Sequence, residues 1–188
     1  KKRITVRHSS KPLLEKLHAL GYKLRINAKD WYAYGVSFKL VGDLLEDAKK
    51  VANGQDKDGL LSENIAKATF EKMLGKKPLN GSYYGSGDID GKHGFDGVFV
   101  EESLDNLTKI HILESKQIKN GAIQLTKETK TNPDQMSDEW IYKVAIELEK
   151  LGGEKARLGK AIVYNPELIE KYITVINRSD LSLQVIKL

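Results

Sequence analysis

The chain reads as an α/β fold in which a mixed sheet is flanked by helices, with a mainly helical segment ahead of it. Three observations predict this. Gly94-Phe95-Asp96-Gly97-Val98-Phe99-Val100 and Ile110-His111-Ile112-Leu113-Glu114-Ser115-Lys116-Gln117 are rich in β-branched and aromatic residues and near enough in sequence to pair as a hairpin. Helical apolar spacing precedes them from Leu60 to Leu74 and follows them from Pro133 to Gly152. Ile173-Thr174-Val175-Ile176 and Leu183-Gln184-Val185-Ile186 then supply closing strands.

Composition bounds what such a fold can do. With 188 residues and 40% hydrophobic content there is material for a real core, as one domain or as one domain with an appendage. The chain has no Cys, which excludes disulfides, thiolate zinc sites and cysteine nucleophiles together and points weakly to a reducing compartment. No apolar run approaches the roughly 20 residues of a membrane-spanning helix, and Lys1-Lys2-Arg3 has no apolar stretch behind it to make a signal peptide. The first residue is not Met, so the expectation is a fragment cut from a longer polypeptide. A net charge of +5 and a pI of about 9.1 favour polyanionic partners, nucleic acid among them.

Taken in order, residues 1–10, basic and polar with Ile4 and Val6 alternating, read as an exposed arm or edge strand. Ser9, Ser10 and Pro12 open a short helix with Leu13, Leu14, Leu17 and Leu20 on one face and Gly21 as its stop; His18 reads as a surface histidine on it. Tyr22, Trp31, Tyr32 and Tyr34 could stack on bases, but packing between helices is the default. Val36, Leu40, Leu44, Leu45 and Ala48 predict a helix running to Ala52, and Asn53 to Gly59 breaks the pattern. That break sets a boundary between an N-terminal helical segment, residues 1–57, and a main domain, residues 58–188. The helix from Leu60 to Leu74 is expected to be capped by Ser62, to bury Ile65, Ala66, Thr69, Phe70 and Met73, and to end at Gly75. Residues 76–92, with glycines at 81, 85, 87 and 91, read as a loop; Asp88-Ile89-Asp90-Gly91 is no EF-hand, because its twelfth position is Phe99 where Glu is required. After the hairpin, Gln117 to Asn132 reads as a cationic loop with Lys119, Lys127 and Lys130. Asn132 and Pro133 are expected to start the next helix, with Met136, Trp140, Ile141, Val144, Ala145 and Leu148 on its core face. Lys160-Ala161-Ile162-Val163-Tyr164 is read as a further strand.

Side chains two apart on a strand share a face, so Glu114 and Lys116 close the end of the face that begins with Ile110 and Ile112. Asp96 shares a face with Val98 and Val100, and antiparallel pairing brings it near the end of the second strand. Two carboxylates and a lysine suit phosphodiester hydrolysis: a divalent cation takes oxygen ligands and acidifies water, while a lysine steers or deprotonates the attacking water. His111 falls on the opposite face and reads as structural; His93, three residues before Asp96, could approach a metal there, but the reading preferred is a loop histidine. For Glu63 two readings stand, a carboxylate favoured by the dipole of its helix and a participant in the site.

Asp96 followed by Glu114-Ser115-Lys116 resembles the core of the PD-(D/E)xK nucleases, which include restriction endonucleases. His93 to Phe99, the Glu114-Ser115-Lys116 triplet and Gln135-Met136-Ser137-Asp138-Glu139-Trp140-Ile141 together are similar to nuclease domains of bacterial polymorphic toxins, nearest the contact-dependent growth inhibition group. The resemblance covers roughly residues 58 to 188, and no Pro precedes Asp96. It implies a restriction-endonuclease-like core and a metal-dependent endonuclease, with DNA as preferred substrate and tRNA as the alternative. It implies Asp96, Glu114 and Glu63 as metal-binding carboxylates and Lys116 as the catalytic lysine. Mg²⁺ is the expected metal, with Mn²⁺ or Zn²⁺ open, and Gln117, Lys119, Lys127 and Lys130 are expected at the substrate. A toxin of this kind would belong to a secreted or cell-surface protein, act in the cytoplasm of the target cell and be silenced by an immunity protein, which the lysines suggest is acidic. A non-catalytic nucleic-acid-binding module, or a different enzyme using Asp88 and Asp90, are the rival readings.

Overall fold

The computed structural model describes the backbone of residues 23–26 and 34–39, and residues 40–73, 81–85, 94–119, 125, 130 and 133–188, without the side chains of 69–73. The described elements are β1 (Lys23–Ile26), β2 (Tyr34–Lys39), α1 (Gly42–Ala52), α2 (Leu60–Met73), β3 (Gly81–Gly85), β4 (Gly97–Ser103), β5 (Asn106–Ile118), α3 (Asp138–Glu149), α4 (Gly153–Tyr164), β6 (Ile169–Asn177) and β7 (Ser182–Lys187). The strands hydrogen-bond in the order β1-β2-β7-β6-β5-β4-β3. Pairs β1/β2, β2/β7, β6/β7, β3/β4 and β4/β5 are antiparallel. Between β5 and β6 the direction is parallel, since Lys109 meets Glu170 while the Arg178 N–H, just past β6, donates to the carbonyl of Ile118. The fold is therefore α/β with a mixed sheet, as the sequence predicts.

Several elements differ from expectation, each for a local reason. The hairpin is tighter: Ser103 pairs with Asn106, leaving only Leu104 and Asp105 as its turn, and a bulge between Val100 and Glu102 absorbs one residue with Glu102 at φ 65°. Val36 lies in β2, and the helix assigned to it begins only at Gly42, so the N-terminal third carries strands as well as a helix. Gly81 to Gly85, read as loop, is a strand at the end of the hydrogen-bonded order, where glycines are tolerated. The helix expected from Asn132 starts at Asp138 instead: Met136 sits at φ 66°, which no helix accepts, and Ser137 becomes the cap, its Oγ accepting from the Trp140 N–H at 3.1 Å. Lys160 to Tyr164 is not a strand but the last part of α4, whose buried Leu158, Ala161 and Ile162 follow helical spacing. The strands expected at 173–176 and 183–186 lie within β6 and β7. The helix read over residues 12–20 and the tyrosines and tryptophan of residues 22–32 lie outside the described residues.

The chain divides into two compact units. The first is built from Lys1–Leu79, Ser115–Ile123 and Tyr172–Leu188. Its core joins Leu40, Ala48, Val51, Ile65, Ile176 and Leu183, with Leu44, Leu45, Leu61 and Leu181 packed on it. The apolar faces of α1 and α2 thus meet the apolar positions of β6 and β7, which removes them from water. Arg178 Nη2 donates to the carbonyl of Ala52, satisfying an orphan at the end of α1.

The second unit comprises Asn80–Glu114 and Gln124–Lys171. Its buried residues include Phe95, Val98, Val100, Ile110, Ile112 and Leu113 of the hairpin and the apolar stripes of α3 and α4. Gly152 and Gly153, at φ 74° and 59°, make the left-handed turn between those helices. The start of α4 is tied down by Glu154, which accepts from Tyr84 and from Arg157, while Arg157 also reaches Asp105 in the β4–β5 turn. Burial first, then the Glu154 hydrogen bond, pushes the Tyr84 phenol up to about 12.

Gly159 is where α3 and α4 approach closest: a Cβ there would lie 2.5 Å from the carbonyl oxygen of Ala145 and 2.9 Å from the nitrogen of Glu149. Neither backbone atom can yield without moving a helix. Gly159→Ala is therefore expected to lower stability by about 1–3 kcal/mol despite the better helix propensity of Ala. Urea unfolding checks this; a variant as stable as wild type would mean the helices separate freely.

Candidate functional site

The site residues of the second unit are set by one ladder. Gly97, the first residue of β4, pairs with Leu113 of β5, so Asp96 and Glu114 are the chain neighbours of that pair. Glu114 shares its side of β5 with Ile112, which pairs with Val98. Glu114 is only 4% exposed, whereas Asp96 is half-buried. A carboxylate that deep needs compensation, because desolvating a charge is costly unless it is paired or bound to a metal.

Asp96 is held from behind. Phe95 is buried at 1% exposure, and its ring meets that of Trp140 edge-on with centroids 5.5 Å apart. Trp140 in turn stands in the first turn of α3, fixed by the Ser137 cap. The left-handed Met136 just before that cap is clamped by Lys171, whose Nζ donates to the Met136 carbonyl at 3.0 Å and to Asp138 at 3.1 Å. The Gln135–Ile141 stretch thus supports the residue beside Asp96, a role its apolar spacing alone does not reveal.

The first unit receives the rest of β5. Lys116, two residues beyond Glu114 on the same strand, takes the same face by alternation and is half-buried. Gln117 points the other way. Its Nε2 donates to Asp56 Oδ2 at 2.8 Å and to Ser62 Oγ at 2.7 Å, so the amide expected to meet substrate is engaged inside the protein. Asp56 also accepts from the N–H groups of Leu61, at 2.9 Å, and Ser62, at 3.0 Å, and from Ser62 Oγ. Asp58 accepts from Leu60. Ser62 is therefore not the cap of α2 but a buried donor within its first turn, and the two aspartates do the capping.

Glu63 is half-buried in that first turn, its N–H bonded to the Gly59 carbonyl. Lys119 and Lys130 are exposed, as a phosphate-facing role requires; Lys127 lies outside the described residues, with His93, Asp88 and Asp90. His111 is buried between the carboxylates of Glu101, 3.7 Å from Nε2, and Glu170, 4.0 Å from Nδ1, which agrees with a structural role. Asp56 is the residue that sequence reading missed. The run Asp56-Lys57-Asp58-Gly59 ahead of an apolar helix is a capping signal, and the reading placed the cap too late.

Among the described residues, no group of three or more His, Asp or Glu side chains gathers to hold a metal ion. Were a metal held here, Asp96 and Glu114 would be its oxygen donors. Two hard oxygen donors fit Mg²⁺ or Mn²⁺, which take oxygen ligands and usually keep several waters, better than Zn²⁺, which draws on nitrogen and sulfur. Compared with protein-family models, with curated proteins and with solved structures, the chain matches none.

Proposed function

We propose that the chain is a metal-dependent endonuclease of the toxin type, hydrolysing phosphodiester bonds, with DNA as preferred substrate and tRNA as the alternative. What supports this is the register of the hairpin: β4 begins at Gly97 paired with Leu113, so Asp96 directly precedes that pair in one strand and Glu114 directly follows it in the other, with Lys116 two residues further along β5. A divalent cation takes oxygen ligands, and two carboxylates would offset its charge. When bound, that cation supplies charge stabilisation at the phosphate and acidifies water. In this reading Asp96 and Glu114 would bind it and Lys116 would orient the attacking water and offset charge on the phosphate oxygens, while a part for Glu63 rests on the resemblance alone. The water oxygen bonds to phosphorus as the bond to the leaving sugar oxygen breaks.

Exposed Lys119 and Lys130, with Lys127 between them in sequence, serve the nucleic-acid backbone. No helix among the described residues is long and apolar enough to cross a membrane. The working compartment of this reading is the cytoplasm of a target cell, reached after delivery by a longer parent protein.

Incubating the chain with plasmid and with total tRNA, under Mg²⁺, Mn²⁺ or Zn²⁺ and under chelator, tests the reading. Cleavage that needs Mg²⁺ or Mn²⁺ is expected, and Lys116→Ala should lose it by about 100-fold or more while unfolding at the same temperature. A folded Lys116→Ala that cleaves at the wild-type rate would remove the lysine from the chemistry.

A nuclease toxin also has to be silenced where it is made, and lysines as close in sequence as 119, 127 and 130 favour an acidic inhibitor that covers the same charges as the substrate. Its association rate should fall steeply as salt rises. An inhibitor whose on-rate ignores ionic strength would contradict this.

A further inference from the structure

Capping α2 needs only Asp56, Asp58 and the first-turn donors; it does not need Gln117. Yet the Gln117 side chain, from the far end of β5, completes the set of donors on Asp56, so that one carboxylate accepts from Leu61 N, Ser62 N, Ser62 Oγ and Gln117 Nε2. Leu61 N reaches Oδ1 while the other three converge on Oδ2, and each bond is charge-assisted. Ser62, 3% exposed, closes the triangle by accepting from the same Gln117 amide. Gln117 occupies the strand position next to Lys116, and consecutive side chains on a strand point to opposite faces. Anchoring Gln117 on one side therefore fixes the backbone rotation that aims Lys116 on the other.

We infer that Asp56 and Gln117 are positioning residues for Lys116: the Asp56 carboxylate, locked onto the first turn of α2, holds the Gln117 amide and thereby sets the direction of the catalytic lysine. This rests on the endonuclease reading and deepens it. It also replaces the substrate-binding role expected for Gln117, because both amide hydrogens have partners within the protein. The same carboxylate governs the turn that carries Glu63, the residue directly after Ser62.

The test uses the full chain and the metal-dependent cleavage assay, with wild type, Lys116→Ala, Gln117→Leu and Gln117→Glu. Gln117→Leu leaves Asp56 its three donors from α2, so the fold and its melting temperature should stay near wild type. Its kcat should fall about 10- to 100-fold, the scale that misplacement of a reacting group carries, with KM for the nucleic acid unchanged. In Gln117→Glu two carboxylates face each other at neutral pH; as pH falls one takes a proton and its O–H donates to the other. Activity relative to wild type should therefore recover toward acid pH, which holds even where Gln117→Leu fails to fold. A folded Gln117→Leu with wild-type kcat, a raised KM at unchanged kcat, or a Gln117→Glu ratio flat with pH would each overturn the inference. If wild type cleaves and Lys116→Ala does not, those outcomes sink the positioning role alone; if wild type cleaves nothing under any metal, the endonuclease reading falls and this inference with it.

Discussion

Pairing Gly97 with Leu113 sets the register of the hairpin beside Asp96 and Glu114, and a shift of one residue would turn every side chain of β5 to the other face. The fold defends that register in several ways. Val98, Val100, Ile110 and Ile112 are all fully buried, so a slipped ladder would leave their positions to polar residues. The two-residue turn at Leu104 and Asp105 leaves no slack at the closed end of the hairpin, and the bulge beside Glu102 places its one irregularity away from Asp96. At the open end, the Phe95 ring against Trp140 fixes the residue next to the carboxylate. Apolar packing and turn geometry thereby hold the register that the two carboxylates flank.

Polar groups complete what packing begins. The first turn of α2 presents backbone N–H groups without helical partners, and Asp56 and Asp58 satisfy them from the preceding loop. Negative charge at a helix N-terminus is favourable in its own right. Because Asp56 has acceptor capacity beyond the cap, it also takes Gln117 and so ties a strand end to a helix start. In the second unit Lys171 does comparable work, holding the left-handed Met136 carbonyl ahead of the Ser137 cap. Backbone strain at one residue is kept where a neighbouring side chain over-determines it.

The sequence made β4 to β7 legible because alternation and β-branched content are local signals. It failed where two local signals compete. Lys160 to Tyr164 is a short apolar run that suits strand or helix alike, and what decides for helix is Gly159 letting α4 lie against the backbone of α3, a tertiary fact. Asn132-Pro133 is a good helix start in isolation, but Met136 breaks the helical path and Ser137 caps after it. Gly81 to Gly85 looked like a loop because its glycines outweigh its two tyrosines, and pairing with β4 overrides that weakness. The hydrogen bond between Asp56 and Gln117 spans most of the way from α2 to the end of β5, and no window of sequence short enough to read as a motif contains both.

Everything proposed for the chemistry depends on Asp96 and Glu114 acting together on one cation. Calorimetric titration of Mg²⁺ and of Mn²⁺ into wild type and into Asp96→Asn measures that directly, since the substitution removes charge and keeps shape. The account predicts one site in wild type and markedly weaker binding in Asp96→Asn, with a melting temperature equal to or above wild type once the repulsion is relieved. Equal affinity in the two proteins would contradict it.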